Sequence, residues 1–298
     1  MTDPASAQDR RLRRPAVLRT LQLGDATVSF VPDGAVQLRP RGWLPDTTEE
    51  TWAAHPQYLD GSGNLVGSIG GLLVERAGRA LLIDAGFGPQ AWPAEPDNAY
   101  GAISGGALLD NLAKLGRRPA DIDAIAFTHL HIEHVGWAWH PGPNGAPPVF
   151  MHADYLVTEP EWAQRALLAE WGTSKEVLAA LAPRIRLMRD GQEIFPGVRV
   201  RVTGGHTPGH AQFVITAGEQ HLVAFGDTLH SPIQVQHPHW SAAADLDRST
   251  ATEQRRQLLA ELERTAAIGF GGHFADAVFG QVRRIGDHQV WHAVDAIT

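Results

Sequence analysis

The chain contains no cysteine. That absence excludes disulfides, thiolate metal sites and a cysteine nucleophile, so a bound metal must be held by nitrogen and oxygen. No window reaches the ~18 continuous apolar residues that a membrane helix requires, and a membrane is not an expected partner. No basic stripe recurs along the body, and the formal net charge is -8, which argues against nucleic acid. The strongest basic run, RRLRR at Arg10 to Arg14, has polar neighbours and no apolar segment after its charges, unlike a signal peptide. We therefore expect a solvated amino-terminal arm over residues 1–27 and a cytoplasmic location. Internal repeats, low-complexity tracts and long linkers are also lacking, so residues 28–298 are expected to form one domain. With 298 residues and 43% apolar content, the chain can bury a sizeable core.

What is present reads as alternating strands and helices. ATVSFVPDGAVQL reads as an edge strand followed by a turn, and Gly70 to Gly88 reads as two strands joined at Ala77-Gly78 and ending at Asp84. GGALLDNLAKLG reads as a helix leading into another strand. A short strand is expected at Val149 to His152 and a helix from Pro160 or Glu161. The stretch DRSTATEQRRQLLAELERT carries capping signals and an apolar face of Leu258, Leu259 and Leu262 with charges opposite, as a helix covering a sheet would. Strands alternating with covering helices indicate a layered α/β architecture.

Histidines and carboxylates gather at strand ends in four places: HLHIEH (His129, His131, Glu133, His134), GGHTPGH (His206, His210), FGDTLH (Asp227, His230) and GGHF (His273). Strands side by side would bring these tips to one rim, where imidazoles and a carboxylate can share metal ions. In an extended turn His129 and His131 project to the same side, whereas Glu133 and His134 can turn toward a neighbouring ion. Burying such a cluster costs several kcal/mol unless something pairs with it, at roughly that scale per uncompensated group. Imidazole and carboxylate suit zinc first, with manganese or iron as alternatives. His210 is expected as a structural hydrogen-bonder beside the site, and His230 is a weaker candidate. Trp137 and Trp139 follow the metal motif directly and are expected near the rim, where aromatic side chains suit an apolar ligand.

Together, THLHIEHVG, GGHTPGH, FGDT and GGHF resemble the metallo-β-lactamase superfamily, from about Val28 to the last histidine motif. The resemblance implies a four-layer αβ/βα sandwich. It also implies that His129, His131 and His206 hold a first metal, that Asp227 bridges two, and that His134 and His273 hold the second. LLIDAGFG resembles the family strand ending in Asp-x-Gly, which places Asp84 behind the ligands, where it can fix an imidazole tautomer. The family has aspartate where this chain has Glu133. Its extra methylene can overshoot a ligand position, leaving one metal, or reach it after loop adjustment; two divalent ions are the favoured expectation.

HVGW, the insertion after it and LVTEPEW look most like the branch with N-acyl homoserine lactonases and organophosphate or aryl-ester hydrolases. That implies attack on a small apolar lactone or ester by a metal-held hydroxide, with Glu133 and Asp227 as the catalytic carboxylates that hold and orient it. A homodimer is plausible for that branch. Phosphotriester or thioester hydrolysis, a mononuclear iron enzyme using oxygen, and a metal-binding protein without turnover are the alternatives.

Overall fold

The computed structural model describes residues 10–142 and 145–296. Among these residues, two sheets face one another. The first contains β1 (Arg19–Leu23), β2 (Ala26–Leu38), β3 (Leu65–Arg76), β4 (Arg79–Ile83), β5 (Ala91–Trp92), β6 (Tyr100–Ser104), β7 (Ala124–Ala126), β8 (Asp154–Thr158) and β9 (Ile185–Met188). Its order is β5-β6-β2-β3-β4-β7-β8-β9, with β1 also on β2. The second runs in chain order from β10 (Glu193–Phe195) through β11 (Val198–Val202), β12 (Ala211–Ala217), β13 (Gln220–Ala224), β14 (Ile268–Phe270) and β15 (Phe279–Ile285) to β16 (His288–Ala293).

Side-chain alternation sorts residues into two cores. Leu72 and Val74 of β3, with Leu81 and Ile83 of β4, meet Val198, Val200, Phe213 and Ile215 between the sheets. Their neighbours Leu73 and Leu82 point the other way into an outer core. Helices close the outer faces. They are α1 (Pro40–Trp43), α2 (Glu49–Ala54), α3 (Leu108–Lys114), α4 (Ile132–Trp139), α5 (Glu159–Ala163), α6 (Lys175–Leu181) and α7 (Arg248–Thr265). Leu108 and Leu112 of α3 join that outer core, as do Leu258, Leu259 and Leu262 of α7, which lies against β15. The result is the four-layer αβ/βα sandwich.

Several local expectations hold for visible reasons. The turn between β3 and β4 falls at Ala77 (φ 53°) and Gly78 (φ 76°), the pairing of left-handed residues that matches strand twist. Helix α7 begins at Asp247, whose side chain accepts from the Thr250 amide.

Others are corrected. ATVSFVPDGAVQL is not an edge strand with a turn: it is one thirteen-residue strand, β2, paired with β1, β3 and β6. Within it, Pro32 sits beside a register shift between Pro32 and Gly34, the kind of irregularity at which a sheet tolerates proline. Val149 to His152 is a turn, and the strand comes later, at Asp154–Thr158. Residues 1–9, part of the expected arm, lie outside the described residues, but the rest of 1–27 is no solvated arm. Arg14 and Arg19 both bind the fully buried Asp276, Arg11 donates to the Asp276 carbonyl, and Leu12 and Ala16 are buried. The arginines fold back because a buried carboxylate needs cations beside it. Among the described residues, no helix is long and apolar enough to cross a membrane.

Candidate metal centre

The four motifs converge at the ends of β7, β11, β13 and β14, as adjacent strand tips in the two sheets allow. His129 and His131 lie in the loop after β7, and His134 lies on the first turn of α4. Helix α4 docks by backbone bonds onto the loop after β4: Ala85 N to His134 O at 2.7 Å, Gly136 N to Gly86 O at 2.7 Å and Trp137 N to Ala85 O at 3.1 Å. Only glycine permits this at position 136, because a Cβ there would overlap the Phe87 carbonyl group.

Two ligand sets share Asp227. His129, His131, His206 and Asp227 form the first; Glu133, His134, Asp227 and His273 form the second, and within each set the ligand atoms lie within 4.8 Å of one another. Across the first set, His131 Nδ1 is 3.3 Å from His206 Nε2, and Asp227 Oδ2 is 3.5 Å from His206 Nε2 and 3.8 Å from His129 Nε2. Across the second, His134 Nε2 is 3.4 Å from Asp227 Oδ1 and 3.9 Å from Glu133 Oε1, and His273 Nε2 is 3.3 Å from Asp227 Oδ2. A tetrahedron with ligands about 2.1 Å from its centre has edges of about 3.4 Å. These spacings fit such a group.

Protonation and orientation fit as well. His129 Nδ1 lies 3.0 Å from Thr128 Oγ1, whose hydroxyl donates to Asp84; His134 Nδ1 lies 3.0 Å from Asp84 Oδ2, His206 Nδ1 2.9 Å from Asp245 Oδ1 and His273 Nδ1 2.7 Å from the Ser68 carbonyl. With each Nδ1–H donating outward, each Nε2 lone pair faces Asp227. The Nε2 atoms of His129 and His134, which face Asp227, are buried with no hydrogen-bond partner, which is costly unless a cation meets them. Burial and neighbouring imidazoles hold His129 and His131 neutral, well below the ordinary histidine range. His134 goes the other way: burial opposes its charge, but Asp227 and Asp84 outweigh that and raise it well above the ordinary range. Burial would raise the Asp227 carboxyl, yet the surrounding histidines drive it well below the usual range. The centre is built for positive charge.

Asp84 sits in the left-handed region (φ 61°), an uncommon conformation for a non-glycine residue, and there it accepts from the Thr128 amide and hydroxyl and contacts His134. His210, pushed down to about 3 by burial and by His206, accepts the Asp227 amide on Nε2 at 3.0 Å and keeps Nδ1 on Thr203 at 2.9 Å. It is a hydrogen-bonder beside the site, as expected.

Trp137 and Trp139 are not at the rim. Trp137 donates to the buried Asp33 at 2.8 Å, and Trp139 packs half-buried against the outer core. Helix α4 climbs at roughly 1.5 Å per residue, so its first turn stays beside the candidate ligand sets while the tryptophans are carried away. The aromatic wall comes from Trp43, Trp92, Tyr100 and Trp171, which with Val36, Leu38, Ile103 and Ile132 line a cleft reaching Glu133, His230 and His273. Trp171 lies 5.7 Å from His131, and Trp43 lies 5.1 Å from His230.

Sequence reasoning missed three residues and underrated one. Asp245, held at about 2 despite burial by its His206 hydrogen bond and by Arg255, backs His206. Arg255 is fully buried, and its signal was available: it stands three, four and seven residues before Leu258, Leu259 and Leu262, on the apolar face. Glu161 is also buried, within LVTEPEW, a stretch taken as a helix start and as part of the family resemblance. His230, weakly rated, is buried in the cleft with its Nε2 3.2 Å from Asp227 and neither ring nitrogen in an aligned hydrogen bond.

Fold and ligand arrangement together define a metallo-β-lactamase-type protein, and the family model for the Metallo-beta-lactamase superfamily matches residues 71–273. The chain belongs to that superfamily. Among curated relatives, it is similar to an N-acyl homoserine lactonase of Bacillus cereus, 25% identical over 163 residues, covering 51% of this chain and 59% of that protein. N-acyl homoserine lactonase AiiA of Bacillus thuringiensis subsp. kurstaki is 30% identical over 108 residues, covering 36% of this chain and 38% of that protein. The chain thus spans well under two thirds of the length of these relatives. Among solved structures, AidC, a dizinc quorum-quenching lactonase in complex with a product, superposes with TM-score 0.79 at 22% identity, covering 94% of this chain and 98% of that one. The hydrolase AbOPH gives 0.78 at 24% identity, covering 94% and 98%.

Proposed function

We propose that this protein is a dinuclear metal-dependent hydrolase that opens an uncharged lactone or ester carrying an apolar group. The observation that carries this reading is the pair of ligand sets joined through Asp227, with an apolar, aromatic cleft that reaches the second set at Glu133 and His273. The lactonase relatives and the dizinc lactonase neighbour support it. Bound there, two divalent ions, zinc first, would bring a water's pKa to about 7 and polarise a carbonyl oxygen.

The chain's own residues do the rest. Asp227, shared by the two sets, and Glu133, which belongs to the second set and borders the cleft, are the carboxylates that would hold and orient the attacking water. Glu133 stands within ligand distance of His134 and Asp227, which favours two ions over one. Ile132, Trp43 and Trp171 exclude water around the substrate's apolar part. His230, pushed down to about 4 by burial and so neutral, has a ring nitrogen free to donate to the substrate's oxygen. The reaction needs no serine or cysteine nucleophile.

The test is a panel of N-acyl homoserine lactones, aryl esters, thioesters and a phosphotriester with the zinc-loaded protein. The reading expects the lactone or ester with an apolar chain to give the highest kcat/KM. Exclusive turnover of the phosphotriester or thioester would replace the substrate assignment, and no turnover of any class would remove the hydrolase assignment.

A further inference from the structure

We propose that Glu161 is the positioning residue of the first metal set, tying the loop that carries His129 and His131 to the loop that carries His206. This rests on the reading of those histidines as metal ligands. The Glu161 side chain is 1% exposed. Its Oε1 accepts the Leu130 amide at 3.0 Å; its Oε2 accepts the Thr207 hydroxyl at 2.7 Å and the Gly209 amide at 3.0 Å. Leu130 lies between His129 and His131, and Thr207 directly follows His206. One carboxylate therefore binds the residue next to each histidine of the set, through the Leu130 amide on one loop and the Thr207 hydroxyl on the other.

The two loops belong to different sheets: the first follows β7, the second follows β11. Sheet-to-sheet packing alone leaves their relative height free by more than the few tenths of an ångström that ligand geometry tolerates. Three hydrogen bonds to one anion, each stronger than a neutral pair, fix it. The carboxylate is itself fixed. Thr158 accepts the Glu161 amide at 3.3 Å and donates to the Gly209 carbonyl at 2.5 Å, and Gly209 is needed because a Cβ there would overlap the Glu161 amide. Among the described residues no ion pair joins Glu161, and its carboxylate is held by donors from the two loops. The second set has separate supports, Asp84 for His134 and the Ser68 carbonyl for His273. Loss of Glu161 should therefore be felt at one set and not at the other.

The experiment places Glu161→Gln in two backgrounds, His273→Ala, which leaves the first set to bind zinc, and His206→Ala, which leaves the second. Zinc affinity is measured by competition with a chromophoric chelator, and thermal midpoints are recorded for the metal-free proteins. Glu161→Gln should weaken zinc about 10- to 100-fold in the His273→Ala background and less than about threefold in the other, with Thr207→Val giving a smaller loss of the same pattern. Equal weakening in both backgrounds, or none in the first, would overturn the proposal. Should Glu161→Gln not fold, Thr207→Val decides by the same comparison. If the unsubstituted protein binds no zinc, the metal reading fails and this proposal falls with it.

Discussion

Arg255 offers the sharpest energetic test. Its guanidinium is fully buried and donates to Asp245 at 2.9 Å, to Ser241 at 2.7 Å, to Thr252 at 2.9 Å and to the Pro238 carbonyl at 2.7 Å. Asp245, also buried, is shared with His206 at 2.9 Å. Replacing Arg255 with Met keeps the volume but leaves the Asp245 carboxylate without its cation. Removing one partner of a buried pair costs about 3–5 kcal/mol, which for a domain of this size lowers the melting temperature by roughly 5–8 °C. The same change loosens the carboxylate that orients His206, so zinc affinity at the first set should fall about 10-fold or more. In the double variant Arg255→Met/Asp245→Asn no buried charge is left unpaired, and its loss should be smaller than the sum of the single losses by about 1 kcal/mol or more. Calorimetry of the four proteins in metal-free buffer, followed by chelator competition, measures both. A shift under about 1 °C for Arg255→Met, on the order of the ±0.5 kcal/mol of a surface change, or strict additivity, would refute the reasoning.

Further expectations follow from the same geometry. Glu133→Ala should reduce zinc from about two to about one per chain while Glu133→Asp retains both, read by elemental analysis. Gly136→Ala pushes α4 off the loop at Phe87 and should cost about 1–3 kcal/mol, with selective loss of the ion held by His134. Trp171→Ala and Trp43→Ala, at the wall of the cleft, should raise KM for long-chain lactones more than for short ones, since each methylene buried is worth about 0.8 kcal/mol. Stripping metal with a chelator should lower the melting temperature steeply, because each ion at a hundredfold excess over its Kd adds about 2.7 kcal/mol.

The convergence of the candidate ligands was legible because their type and order are written in the motifs, and because such a cluster of histidines and carboxylates is one that an ordinary core excludes. The strand pair at Ala77-Gly78 was legible for a local reason, a turn that demands left-handed residues. The failures share a different cause: they depend on what another segment supplies. Arg11, Arg14 and Arg19 look like a solvated run until Asp276 is placed beside them. Pro32 reads as a turn because the sequence does not display the register shift that accommodates it. Trp137 was assigned to the rim by adjacency, but Asp33, 104 residues earlier, claims its indole N–H. Arg255 and Glu161 have their partners in distant loops, and only for Arg255 did helical spacing offer a signal.

The most direct test of the account is a zinc titration of the metal-free protein that follows hydrolysis of an N-acyl homoserine lactone. Two ligand sets sharing Asp227 predict activity that climbs until about two equivalents are bound and then stays level. Full activity at one equivalent would contradict the dinuclear centre and the role given to Glu133, and an inactive protein carrying two would contradict the hydrolase itself.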